Sequence, residues 1–257
     1  MSILSERFHQ RHRTMVFPDV PPPLPEHFRG LPAISGHCSP TCEVCLQACP
    51  TSAIARTSEG KIQLDLGACT FCGDCAGICP EHAISFGSDW RMASRSRDGL
   101  KISQDYALEL AQALESHAQA IFGHSLRIRE VSAGGCGACE ADVNVLSTIG
   151  WDLSRFGIQM VASPRHADAL LVTGPVPRSM ALALAKTWAA MPTPKFVIAV
   201  GSCAVSGGLF ADSPEHCGGV AEHLPVDLFI PGCPPHPATI LDGILRFLGH
   251  SIAEPSL

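Results

Sequence analysis

Residues 125–150, SLRIREVSAGGCGACEADVNVLSTIG, decide the fold of the larger part of this chain. An apolar, β-prone run leads into a glycine-rich turn carrying Cys136 and Cys139, and the turn opens into a helical stretch. The same grammar continues downstream. GIQMVAS and DALLVTG read as strands, SMALALAKTWAAM as a helix, KFVIAV and DLFIPG as strands, and TILDGILRFLG as a helix. Strands that are almost wholly apolar and alternate with helices belong to a parallel sheet covered on both faces, an open α/β fold.

Upstream the composition changes. Residues 1–35 are proline-rich, with Pro21, Pro22, Pro23 and Pro25 favouring an extended arm, either a linker or a docking arm on a partner. Residues 36–98 hold two similar cysteine runs, and residues 99–124 form a linker in which Lys101–Phe122 reads as an amphipathic helix. Tyr106, Leu110, Leu114 and Ile121 mark its apolar stripe, Ser103 its N-cap and Gly123 its end. Residues 125–257 carry the α/β pattern.

The chain has 257 residues, 46% of them apolar, and a net charge of −6, so it is globular and has no basic stripe for nucleic acid. Its apolar runs, such as Ala181–Ala185 and Phe196–Val200, are too short to cross a bilayer, and no secretory signal is expected. Neither G-x-G-x-x-G nor G-x-x-x-x-G-K-[ST] occurs, so no nucleotide binding is expected. Thirteen clustered cysteines, an odd number, read as metal ligands rather than a disulfide framework.

Eight of them form an internal repeat, CSPTCEVCLQACPTSAI from Cys38 and CTFCGDCAGICPEHAI from Cys69. Cys69-x2-Cys72-x2-Cys75-x3-Cys79-Pro80 has the spacing of a bacterial-type ferredoxin, in which three thiolates wrap one cluster and the fourth reaches to the other. Crossed ligation assigns Cys38, Cys42, Cys45 and Cys79 to cluster 1, and Cys69, Cys72, Cys75 and Cys49 to cluster 2. The first run departs by one extra residue between Cys38 and Cys42. Zinc is the structural alternative, but it does not account for the repeated spacing ending in Pro50 and Pro80.

Cys136, Cys139, Cys203 and Cys233 lie in glycine-rich turns, GGCGACE, VGSC and PGCPP, each following an expected strand. Loops at the carboxyl ends of parallel strands converge on one crevice, so these four can supply a third cysteinyl set. Buried core thiols and zinc are the alternatives. Cys217, beside His216 in SPEHCGG, is left over as a free thiol or a member of a weak metal pair.

The stretches SLRIREV–GGCGACE, RFGIQMVASPRHADALLVTGPV, VGSCAVSGGLF and LPVDLFIPGCPPHPATILDGIL resemble the small, electron-transfer subunit of membrane-bound group 4 nickel–iron hydrogenases of the formate hydrogenlyase type. The related complex I subunit shares the PGCPP turn but usually has adjacent cysteines where this chain has Cys136-x2-Cys139, and the hydrogenase relatives typically read CNGC where this chain reads CGAC. The front half resembles the two-cluster ferredoxin subunit of the same complexes. The resemblance implies an α/β, flavodoxin-like parallel-sheet domain preceded by a small α+β ferredoxin domain, and a proximal cluster at Cys136, Cys139, Cys203 and Cys233.

By that resemblance the expected function is electron relay through three 4Fe-4S clusters, to or from a nickel–iron site in a partner hydrogenase large subunit. Membrane-arm subunits and a formate dehydrogenase or other redox donor are the further expected partners. The expected location is cytoplasmic, held to the cytoplasmic membrane through partner subunits. No catalytic residue is assigned. Glu140 is a candidate for proton passage, or a plain first-turn helix carboxylate. Arg165, His166 and Asp168 form either an interface network or a salt-bridged turn. A complex I-like quinone reductase subunit and a stand-alone ferredoxin-type carrier are the competing readings.

Overall fold

The computed structural model describes residues 2–11, 13–35, 38–39 and 41–250. Gly36 and His37, where the ferredoxin region was expected to begin, and the last seven residues lie outside them.

Strands β6 (Leu126–Ser132), β7 (Ile158–Met160), β8 (Ala169–Thr173), β9 (Phe196–Val200) and β10 (Leu228–Ile230) form one parallel sheet in the order β10-β9-β8-β6-β7. Counted within the domain, this is the flavodoxin-like order, and the switch point falls between β6 and β8. Every residue of β8, β9 and β10 is buried. The reason is the two-residue period of a strand. Leu170, Val172, Val197, Ala199 and Phe229 face one core, and Ala169, Leu171, Ile198, Leu228 and Ile230 face the other. Helices α5 (Ala138–Val145), α6 (Arg178–Ala189), α7 (Ser202–Ser206) and α8 (Pro237–Phe247) follow the strands. Residues of α5 and α8 fill the second core, and residues of α6 and α7 the first.

The first core also belongs to the ferredoxin region. Ile62, Leu64, Leu66 and Cys69 pack in the same apolar cluster as Val172, Val176 and Val205. Upstream, α1 (Ile3–Gln10) precedes β1 (Pro32–Ile34), α2 (Val44–Ala48), β2 (Ile54–Arg56), β3 (Ile62–Asp65), α3 (Asp74–Ile78) and β4 (Ile84–Phe86). β1 pairs antiparallel with β4, while β2, β3 and β5 (Lys101–Ser103) form a second antiparallel sheet. The Arg97 guanidinium makes a two-pronged bridge to the Asp65 carboxylate, both bonds 2.6 Å. Ser94 exchanges backbone bonds of 3.0 and 2.8 Å with Phe229, which covers the β10 edge.

Two sequence expectations need correction. The arm is not extended throughout, since α1 is helical with Ser2 as its N-cap. Its later part lies on the chain itself: Phe17 packs against Trp90 and Trp151, and Arg155 donates to the carbonyls of Met15 and Phe17. Lys101–Phe122 is likewise not one helix. Lys101–Ser103 is strand β5, and only α4 (Ser116–Phe122) is helical, ending at Gly123 as expected. Ser103 is no N-cap of a helix; its hydroxyl accepts the amides of Asp105 and Tyr106 in a turn. Between turn and helix, Glu109, Ala111 and Leu114 donate their amides to Gly99, Ala93 and Phe247. Those remote partners replace the i→i−4 bonds of a helix.

Candidate iron–sulfur sites

The two cysteine runs fold as near copies. Cys45 and Cys75 sit buried in α2 and α3, and Cys49 and Cys79 cap those helices with almost the same backbone angles. Three residues later, Ser52 (φ 50°) and His82 (φ 49°) take the same left-handed conformation, strained for a residue with a side chain. That turn brings the amides of Ala53 and Ala83 to 3.3 Å from the sulfurs of Cys49 and Cys79. A third amide, of Phe71, lies 3.3 Å from the Cys69 sulfur. Such donors stabilise a thiolate once it is formed.

Proximity sorts the thiols across the repeat. The thiols acting electrostatically on Cys45 are Cys38, Cys79 and Cys42. Those acting on Cys69 are Cys75, Cys49 and Cys72. Each of these two neighbourhoods includes the last cysteine of the other run, the proximity that crossed ligation would need, while Cys45 also acts on Cys75 across the two. A small cavity is lined by Cys49, Cys69, Cys72 and Cys75, with Leu64 and Phe86 among its apolar walls.

The third group is assembled by the sheet. Cys136 and Cys139 follow β6, Cys203 opens α7 after β9, and Cys233 follows β10. Cys203, Cys233 and Cys136 all act on the Cys139 thiol. Gly201 makes the meeting possible: at φ 89°, a Cβ there would lie 2.5 Å from the Cys139 sulfur. Cys136 and Cys233 are exposed, so this group opens onto the surface.

Burial, then repulsion from neighbouring thiols, pushes Cys69 up to about 12 and Cys75 to about 11; burial, with the Glu140 carboxylate and neighbouring thiols, pushes Cys139 up to about 12 and Cys203 to about 11. Packed thiols of this kind ionise only when a cationic group arrives among them. The all-sulfur donor sets, their amide donors and the thiol-lined cavity therefore fit iron–sulfur clusters. Among the described residues no three His, Cys, Asp or Glu side chains are grouped to hold a single ion. A cube of irons and sulfides needs its thiolates set further apart than the ligands of one ion.

Glu140 stands at the switch point. Ser132 and Thr173, register partners at the ends of β6 and β8, donate to the same carboxylate oxygen at 2.6 and 2.7 Å. Burial raises its pKa, but these donors and its own backbone amide outweigh burial and hold the carboxyl below its ordinary range. Nearby Glu130, in β6, goes the other way: burial and the Glu140 charge push it up to about 7, with Arg129 opposing. Sequence reading missed Glu130; a lone acid in a strand otherwise buried on that face was the available signal.

Ser202 was missed too. Its buried hydroxyl, next to Cys203, lies 2.6 Å from the carbonyl of Cys69 and 3.1 Å from that of Gly232. It links the Cys69 loop directly to two loops of the surface group.

The remaining candidates lie elsewhere. Arg165 and His166 are exposed, and the Asp168 carboxylate accepts the Arg127 amide at 2.8 Å, pinning the start of β6 rather than bridging the turn. His216 stacks on Phe210, and the Cys217 amide donates to the Val176 carbonyl.

Comparison with known proteins places this geometry. Residues 136–247 match the NADH ubiquinone oxidoreductase 20 kDa subunit family, and residues 62–85 match the 4Fe-4S binding domain. Formate hydrogenlyase subunit 7 of Escherichia coli is 44% identical over 125 residues, which is 49% of each protein. A probable membrane-bound hydrogenase subunit, mbhJ, of Pyrococcus furiosus is 41% identical over 126 residues, 49% of this chain and 75% of the relative. The chain belongs to the complex I 20 kDa and nickel–iron hydrogenase small subunit family. This is a family of oxidoreductase subunits, and here it carries an added 4Fe-4S binding domain. NAD(P)H-quinone oxidoreductase subunit K of a Picosynechococcus strain is a further member, 44% identical over 113 residues, 44% of this chain and 46% of the relative. The chain spans about half the length of the Escherichia coli and cyanobacterial relatives. The family match covers all four cysteines of the surface group, and the 4Fe-4S match covers Cys69, Cys72, Cys75 and Cys79.

Proposed function

We propose that this chain is the iron–sulfur subunit of a membrane-associated group 4 nickel–iron hydrogenase complex of the formate hydrogenlyase type. When bound, its three 4Fe-4S clusters would carry single electrons to or from a nickel–iron site in a partner large subunit. The observation that supports this reading is that twelve thiols gather in two neighbourhoods around the buried Cys45, Cys69, Cys75 and Cys79 and a third that opens onto the surface at Cys136 and Cys233. Cys38, Cys42, Cys45 and Cys79 would hold cluster 1; Cys49, Cys69, Cys72 and Cys75 cluster 2; and Cys136, Cys139, Cys203 and Cys233 the proximal cluster. Buried Cys45, Cys69, Cys75 and Cys79 exclude water from the relay, and the exposed Cys136 and Cys233 face the large subunit. Ser202 holds the loops of cluster 2 and the proximal cluster together.

Among the described residues no helix is long and apolar enough to cross a membrane. Attachment to the membrane would come through membrane-arm partners, a reading that the similarity to a membrane-bound hydrogenase subunit supports. Formate dehydrogenase or another redox donor would exchange electrons at the ferredoxin end. A complex I-like quinone reductase is the second reading, favoured by the 44% identity to subunit K. Purifying the native complex by a tag on this chain decides between them. Stoichiometric nickel, with a large subunit co-purifying, is expected; quinone reduction by a nickel-free complex would overturn the hydrogenase assignment.

A further inference from the structure

The two halves of the cysteine repeat differ in the side chain that follows the last cysteine by seven residues. Seven residues after Cys49 stands Arg56; seven residues after Cys79 stands Phe86, which packs on Phe71 at 6.2 Å. Arg56 ends β2 and turns its guanidinium back over the first motif. It donates to the carbonyl of Ser39 at 2.8 Å, to the carbonyl of Cys42, and to the Gly60 carbonyl at 2.5 Å. The same guanidinium nitrogen that reaches Ser39 and Cys42 lies 3.7 Å from the Cys38 sulfur. The bonded residues span the Cys38–Cys42 gap, where the first run has its extra residue.

We infer that Arg56 compensates for this longer gap and sets the reduction potential of the cluster 1 site. The inference rests on the ligand assignment proposed above. As a positioning residue, Arg56 ties the backbone of Ser39 and Cys42 to the end of β2, which a compact x2 spacing does not require. As a fixed cation it also acts on the electron. Reduction adds one electron and no proton to the cluster with its four thiolates, making that unit one charge more negative. A guanidinium, charged at every physiological pH, stabilises the reduced form, and its N–H···S contact withdraws charge from the Cys38 sulfur in the same direction. The second motif has a different cation nearby: Arg29 covers Gly73 but is exposed, where solvent screens it.

The test is a dithionite redox titration of the reconstituted full-length chain, followed by electron paramagnetic resonance. Wild type, Arg56→Lys and Arg56→Gln are compared, with iron counted per chain in each. A lower midpoint for one cluster in Arg56→Gln, its position recovered in part by Arg56→Lys and the other clusters unmoved, is the expected result. Loss of one cluster in Arg56→Gln with retention in Arg56→Lys supports the inference as well. A fully loaded Arg56→Gln protein with every midpoint unchanged overturns it, as does loss of the cluster from both variants, which would make the role one of shape alone. Failure of the ligand assignment reads differently: wild-type chain would itself lack one cluster's worth of iron.

Discussion

The interior thiol groups and the surface group reach similar chemistry by different routes. The interior pair is built locally, by one motif used twice, and the last cysteine of each half lies among the thiols of the other. The surface group is built by topology, from loops that only a parallel sheet brings together. The local groups bury Cys45, Cys69, Cys75 and Cys79, expose only Cys72 and have backbone amides close to sulfur; the assembled group has no buried thiol and leaves Cys136 and Cys233 exposed. A relay needs both kinds of site: interior sites that keep water out, and an end that another protein can approach. Their weak points differ too. The interior groups depend on crossed pairing, the surface group on space between loops.

Crossed pairing gives the largest expected effect. Cys79→Ser should abolish the cluster held with Cys45 and leave the one held with Cys69, although Cys79 shares a motif with Cys69. Iron should fall by about a third. Selective loss of the other cluster would show that each motif serves itself.

Space between loops is tested by Gly201→Ala. The added methyl would fall 2.5 Å from the Cys139 sulfur, at a φ of 89° that alanine tolerates poorly. The surface cluster should fail to assemble while both interior clusters form, and the fold should lose about 1–3 kcal/mol from backbone strain, read by urea denaturation. Full iron loading would show that the loops have slack.

The smallest effect concerns pH. Glu130 has its folded pKa raised to about 7 from an ordinary 4.5, so the folded state binds its proton more tightly than the unfolded state. Its contribution is greatest at low pH and is lost as pH rises from about 4.5 through about 7. Glu130→Gln should therefore flatten that decline and make the protein relatively more stable above pH 7, in denaturation curves taken across the range. An unchanged pH profile would mean that the carboxyl is solvated.

The α/β half was legible because its signals are local and periodic. Alternate residues of β8 and β9 face different cores, so the whole strand is apolar, and each following turn carries its glycine. The cysteine spacings were legible for the same reason. What escaped depends on distant partners. Tyr106, Leu110 and Leu114 have helical spacing, yet their segment bonds to Gly99, Ala93 and Phe247, and Tyr106 is exposed. Arg56 gains its role only from the chain folded back over Cys38, and Ser202 only from the contact with Cys69. No window of sequence contains both members of those pairs. The extra residue before Cys42 was visible; the side chain that answers it was not.

Iron and acid-labile sulfide counted per reconstituted full-length chain, with zinc measured alongside, test the division of cysteines most directly. Three sets of four cysteines require about twelve iron and about twelve sulfide with no zinc. A count near eight iron, or zinc in place of iron at any set, would contradict it.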